Sequence, residues 1–539
     1  MCVACVQASK RAPITTMTND PSMQKVAVLS DLDARAMKRV EIGDTPILLI
    51  RSGDRVLAYE ANCPHAGAPL EEGALCSGRL ICPWHKGTFD IESGALVEPP
   101  PLMPLKRYPV RVDGDDILAS AVPMEERAES KPGDERTFAV IGLGAAGAAA
   151  CSALRQGGFA GRIVVIDREP RTPYDRTALS KFVPSGEMSP DDVPALLPDD
   201  FFASESIDVI QAEVQTLDAQ AKRIDIGSAP SIHYDAALVA TGGVPKRPSL
   251  QGGDAKDVAE HIRLLRGRDD ARRLVESAVE RSHALVLGAS FIGLEVAAAL
   301  RNRDVAVTVV SPGNVPFEKQ FGPDIARLVQ GLHESHGVTF RMGRHAVAVA
   351  RNEAGGERRL RVTLDDGAIV ECDFIVAGLG IRLATDFIVG VDRNDDGSLN
   401  VDASMRVADG LFAAGDIARF DLPIEPGGRI RVEHWRLAQQ HARIAAHAML
   451  GSSPKEPFVP FFWTYHFGKN FEYLGHARSW DETVMTGSPE KFEFVALFGE
   501  KGKLVAAVGC ERSTQMSALA EAMRRTLSVE EAKEIVEAE

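Results

Sequence analysis

Cys63-Pro-His-Ala-Gly-Ala-Pro-Leu70 and Cys82-Pro-Trp-His-Lys-Gly-Thr-Phe-Asp90 decide how the chain is to be read. Each short segment offers one thiol and one imidazole, Cys63 with His65 and Cys82 with His85. Two thiolates for one iron and two imidazoles for the other make the ligand set of a mixed-ligand [2Fe–2S] cluster. A tetrahedral zinc ion is the competing reading, but zinc motifs usually pair Cys with Cys and His with His. Gly67, Pro69, Gly73, Pro83 and Gly87 mark both segments as tight loops.

The two segments resemble the Rieske ferredoxins of bacterial aromatic-ring dioxygenases. Relative to respiratory-complex Rieske proteins, Ala68 and Trp84 stand where an extra disulfide is found, and Phe89 stands in place of a Tyr. The resemblance therefore implies fewer hydrogen bonds to sulfur. It also implies a potential toward the lower end of the Rieske range of about −150 to +300 mV.

Around this site the composition is that of a multidomain globular protein. The chain has 539 residues and a net charge of −15, which argues against nucleic-acid and anionic-membrane partners. Eight cysteines are scattered without a disulfide framework, which predicts a reducing, cytoplasmic setting. No apolar run is long enough for a membrane span. Cys2 and Cys5 form a C-x-x-C in the short apolar stub "MCVACV", which precedes a polar stretch, and 1–24 is read as a disordered extension. Alternating short strands over 25–122 predict an all-β cluster domain, and the charged segment 123–136 reads as a linker that leaves more than one docking open.

At Thr137 the pattern changes to strand, glycine turn, helix, strand. Gly142, Gly144 and Gly147 follow the strand "FAVI" and open an Ala-rich helix. The first glycine makes the turn, the second admits a pyrophosphate, and the third lets helix pack on strand. Asp167 or Glu169 is the expected ribose ligand, with Asp167 preferred. A second unit carries Gly288 and Gly293, but Ser290 replaces the middle glycine and the next strand ends in Ser311. NADH is favoured over NADPH, without excluding the latter. Ala240-Thr241-Gly242 and, later, Gly380 close analogous strands, and Asp416 follows the strand "LFAA".

The ordered set "PYDRTALSK", "ATGG", "FIGLE", "AAGDIA", "VEHWRLAQQHA" and "FFWT" resembles the flavin-dependent ferredoxin reductases of oxygenase systems and apoptosis-inducing factor. With the cluster segments in front, it is similar to the Rieske-bearing branch of the latter. The resemblance implies an all-β Rieske domain, an α/β flavoprotein with FAD and NAD units, and an α+β interface domain. The expected boundaries are 137–253 and 379–450 for the FAD-binding domain, 254–378 for the NAD(P)H-binding domain and 451–539 for the C-terminal domain. It implies Arg176 and Lys181 along the flavin, and Glu295 near the nicotinamide as a partner of Lys181. It also implies Glu433, His434 and Trp435 at a helix start facing the flavin, although Trp435 can equally be a core aromatic. Trp463 would approach from the other side. Cys151 and Cys372 are read as core thiols, since no redox C-x-x-C accompanies the flavin motifs.

The expected chemistry uses FAD to convert a two-electron hydride donor into single electrons for the cluster. The partners are NAD(P)H and a protein acceptor such as an oxygenase, cytochrome or carrier, with the chain a monomer or homodimer. The competing reading is an NADH-sensing interaction protein with slow turnover.

Overall fold

The computed structural model describes residues 22–32, 36–124, 133–227, 229–352, 358–422, 428–452 and 457–538. The Cys2–Cys5 pair and residues 125–132 of the expected linker lie outside these. The first strand, Gln24–Val28, begins one residue inside the stretch read as an extension and pairs with Asp116–Ala119.

The N-terminal domain is built of antiparallel strands. Thr45–Ser52 shows why: Leu48 and Ile50 point into one apolar cluster, and Ile47 and Leu49 into another. A strand's two-residue period sends alternate side chains to opposite faces, so an uninterrupted apolar run fits a strand covered on both sides. A four-stranded sheet, Ala74–Cys76, Arg79–Ile81, Thr88–Asp90 and Leu96–Glu98, carries the ligand loops.

Two parallel sheets follow. The first orders Ile207–Gln211, Arg162–Asp167, Thr137–Ile141, Ala236–Val239 and Leu411–Ala413, with Arg406–Ala408 antiparallel at its edge. Ala236–Val239 and Leu411–Ala413 are neighbours, so the second unit is inserted between adjacent strands of the first. That unit orders Ile262–Arg263, Phe374–Ala377, His283–Leu287, Ala306–Ser311 and Val338–Met342, all parallel. The C-terminal domain is a five-stranded antiparallel sheet with helices Ser513–Ala522 and Val529–Glu537. Ser528 and Glu531 form the capping box that starts the last helix.

The Rieske-type domain is held in one placement by buried charge. Glu98 accepts from Arg524 at 2.9 Å and from Gln440 at 2.7 Å, and Arg436 lies 3.6 Å from it. Lys86 donates to Glu472 at 2.9 Å and to the carbonyls of Pro83 and Ser513. Arg436, in the first turn of helix Trp435–Met449, also donates to the carbonyls of Lys86 and Pro99. These side chains come from all three parts of the chain and form one desolvated seam.

Candidate cofactor sites at the domain junction

The cluster loops are shaped by their own backbone. Cys63 N–H donates to the Ala68 carbonyl, Gly67 N–H returns to Cys63, and Cys82 N–H donates to Gly87. Gly67 holds a positive φ of 76°, which the turn requires. As a result the Nδ1 atoms of His65 and His85 face each other at 3.1 Å. Cys63 and Cys82 are buried and hydrogen-bonded to one another; that bond lowers the Cys82 thiol to about 7 and, with burial, raises Cys63. Among the described residues no three such side chains surround a single ion position. Two imidazole nitrogens together and two sulfurs together fit two irons bound from two sides, better than one zinc.

The outer faces of both imidazoles are covered by the rest of the chain. The Trp463 ring packs on His85 with centroids 4.1 Å apart and on His65 at 6.4 Å. His65 Nε2 lies 3.6 Å from Asp175 of the segment "PYDRTALSK".

Behind Trp463 opens a cleft of about 390 Å³. Gly142, Gly144, Asp167, Glu169, Arg176, Lys181, Ala240, Thr241, Gly242, Glu295, Asp416, Glu433, His434 and Trp435 all line it. Gly147, Gly288, Gly293 and Gly380 do not. A Cβ at Gly147 would stand 2.0 Å from the Gly142 carbonyl oxygen, so this glycine serves helix packing, while a Cβ at Gly144 would meet open space. In the inserted unit a Cβ at Gly293 would meet the Gly288 carbonyl at 2.3 Å. Ser290 caps its helix by accepting from Gly293 N–H and donates to the Gly378 carbonyl. Its one hydroxyl hydrogen is thus committed to that carbonyl. Cys151 and Cys372 are fully buried, with thiols pushed up to about 12 by burial.

Asp167 accepts from the backbone N–H groups of Leu143 and Glu169 and so braces the glycine turn. Glu169 accepts from Tyr174 and Arg176, both at 2.6 Å. The helix beyond the cleft begins at Trp435, one or two residues later than expected, with His434 as its N-cap and Glu433 outside it. His434 Nδ1 and Trp435 Nε1 are buried without hydrogen-bond partners. Such orphaned atoms at a helix N-terminus, where the helix dipole favours negative charge, suit the polar edge of a flavin. Burial raises Asp416, and Arg266, 3.6 Å away, works against that rise.

Lys181 Nζ donates to Glu295 Oε2 at 3.0 Å, and the same oxygen accepts from Ser180. Thr464 donates to the other oxygen at 2.7 Å. Sequence reasoning missed Arg266, Asp175, Thr464 and the Glu98 hub. Arg266 sits in an arginine-rich stretch without a distinguishing spacing, and the others act through partners far away in the chain.

Residues 136–442 match the pyridine nucleotide-disulphide oxidoreductase family, 22–109 the Rieske [2Fe-2S] domain and 461–537 the reductase C-terminal family. Apoptosis-inducing factor 3 of Homo sapiens is 31% identical over 92% of this chain and 83% of its own length. The biphenyl dioxygenase system ferredoxin–NAD(+) reductase component of Paraburkholderia xenovorans is 32% identical over 67% of this chain and 86% of its own. Among solved structures, the ferredoxin reductase for the CYP199A2 system from Rhodopseudomonas palustris superposes with a TM-score of 0.67 at 26% identity, covering 74% of this chain and 97% of that one. The cofactors are accordingly FAD, a pyridine nucleotide and a [2Fe–2S] cluster, and the activity is that of an FAD-dependent NAD(P)H oxidoreductase. The chain belongs to the pyridine nucleotide-disulphide oxidoreductase family, with a Rieske domain fused in front and a reductase C-terminal domain behind.

Proposed function

We propose that the protein passes electrons from NAD(P)H, preferably NADH, through FAD to its own Rieske cluster and on to an external acceptor, an oxygenase or electron carrier of the cytoplasm. The observation that carries this reading is Trp463, which lines the flavin cleft and packs on His85 at 4.1 Å. One side chain thus spans the space between the two cofactor sites.

FAD supplies the conversion of a hydride into single electrons. The chain supplies the positioning. Cys63 and Cys82 hold one iron, and His65 and His85 the other. Gly142 and Gly144 receive the pyrophosphate, and Asp167 braces their turn. Glu169 borders the adenosine side, and Arg176, paired with it, lies along the flavin. Ala240, Thr241, Gly242 and Asp416 border the ribityl side. Glu433, His434 and Trp435 face the pyrimidine edge. Gly288, Gly293 and Gly380 shape the nicotinamide-nucleotide side. Glu295 fixes the Lys181 ammonium at the reactive edge. The relatives named for dioxygenase systems support an oxygenase-type acceptor.

The test is anaerobic mixing of the purified protein with NADH, reading flavin absorbance and the electron paramagnetic resonance of the cluster. Loss of flavin colour followed by the reduced-cluster signal is expected. Flavin bleaching with a permanently oxidised cluster would refute the route.

A further inference from the structure

The buried polar groups on the far side of Glu295 form a continuous line that the electron route does not use. Thr464 Oγ1 donates to Glu295 Oε1 at 2.7 Å. His466 Nε2 lies 2.9 Å from the same hydroxyl, and His466 Nδ1 lies 3.3 Å from His333 Nε2. Thr464, His466 and His333 are fully buried. His333 Nδ1 has no hydrogen-bond partner, and one turn later on the same helix, Glu318–Ser335 with its C-cap, His336 is exposed. The rings of Phe317, Phe471, Phe340 and Phe467 surround the two imidazoles and keep the line dry.

We propose that Glu295, Thr464, His466 and His333 are a proton relay joining the flavin cleft to solvent beside His336. The redox arithmetic supplies a proton for it. A hydride leaves the cleft as two electrons, taken singly by one-electron acceptors, and one proton. Glu295 lines the cleft and accepts from Thr464, so the line offers that proton a buried path outward.

The hydrogen-bond directions support the relay. With Glu295 accepting from Lys181, Ser180 and Thr464, the single Thr464 hydrogen is used, so His466 Nε2 must be the donor to Thr464. His466 Nδ1 then accepts from His333 Nε2, and His333 Nδ1 is a free lone pair. The same line has a second arrangement that is equally satisfied and holds one more proton. In that second arrangement Glu295 is protonated and donates to Thr464, Thr464 donates to His466 Nε2, His466 Nδ1 donates to His333, and His333 Nδ1 bears the hydrogen that goes to solvent. Passing one proton from this second arrangement out to solvent restores the first with every hydrogen bond remade, and the two imidazoles then exchange tautomers before the next proton. Burial, aided by the Lys181 charge, lowers His466 to about 3; burial, with His466 and His336, also lowers His333. Neither imidazole therefore stores the proton as a cation, and each passes it on.

The relay rests on the proposed route only in that electrons and proton leave the flavin separately, and the test keeps the two apart. The holoprotein is mixed anaerobically with NADH and then with ferricyanide, which takes the two electrons singly. Flavin and cluster bands are followed together with a pH-indicator dye in weak buffer. In His333→Leu, flavin bleaching by NADH is expected at the wild-type rate, while proton appearance slows by about tenfold or more. Thr464→Val should slow it likewise, and Thr464→Ser, which keeps the hydroxyl, should restore it. Wild-type proton kinetics in His333→Leu, or equal losses in the Val and Ser variants, would overturn the relay. A cluster band that never bleaches tells against the electron route alone, because ferricyanide still draws the proton out.

Discussion

Glu98→Gln removes one charge from the seam that docks the Rieske domain while keeping the side-chain volume. Glu98 is 7% exposed and lies among Arg524, Gln440 and Arg436. A glutamine amide must turn its NH₂ toward either the Arg524 guanidinium or the Gln440 amide, so a donor meets a donor. It also leaves two buried guanidiniums without their shared carboxylate. Removing one partner of a buried ion pair costs about 3–5 kcal/mol. Burial disfavours the Arg436 charge and Glu98 is what opposes that, so the loss of the carboxylate falls on Arg436 directly. The cost corresponds to a loss of roughly two to four powers of ten in the docked population. Hydrogen exchange by mass spectrometry over residues 96–105 and 436–443 reads this directly, since Arg436, Gln439 and Arg443 donate to carbonyls of that strand and loop. Exchange within about threefold of wild type would show that the seam is hydrated in solution and refute the argument.

The same carboxylate sets an acid limit. Burial would raise Glu98, but Arg436 and Arg524 outweigh it, so the docked value lies below the ordinary 4.5. Its contribution is present above 4.5 and is lost as pH falls through the lowered value, so exchange protection of the seam should drop on that side. Lys86→Met should cost about 3–5 kcal/mol in urea denaturation by stranding Glu472, whereas Lys86→Met with Glu472→Leu should cost little, because the pair is replaced by apolar packing. Gly147→Ala should abolish flavin retention on gel filtration, since the added carbon meets the Gly142 carbonyl at 2.0 Å and backbone must move. Cys82→Ser should remove the cluster bands while NADH still bleaches the flavin, separating hydride transfer from cluster reduction.

The fold was legible wherever chemistry is encoded at short range. Cys63 with His65, Cys82 with His85, and Gly142, Gly144 and Gly147 carry their geometry in spacings of two to five residues. The sequence patterns of two parallel units and a mixed final domain reappear as the sheets described. What could not be read was the junction. Glu98 meets Gln440 and Arg524 across separations of 342 and 426 residues, and Thr464 meets Glu295 across 169. No local periodicity distinguishes a glutamate that will be buried between two arginines from one that will be solvated. Ser290, at the middle position of a glycine motif, is taken up by a helix cap and a carbonyl, which its spacing does not reveal.

Because both imidazoles abut Trp463 and Asp175, the two redox centres have no diffusional encounter to wait for. In the proposed route, internal transfer is therefore a first-order event. Diluting the protein leaves its rate unchanged, and added salt, which screens exposed charges but hardly reaches a desolvated seam, leaves it nearly so. Only the hand-over to the outside acceptor keeps the concentration and ionic-strength dependence of a bimolecular collision.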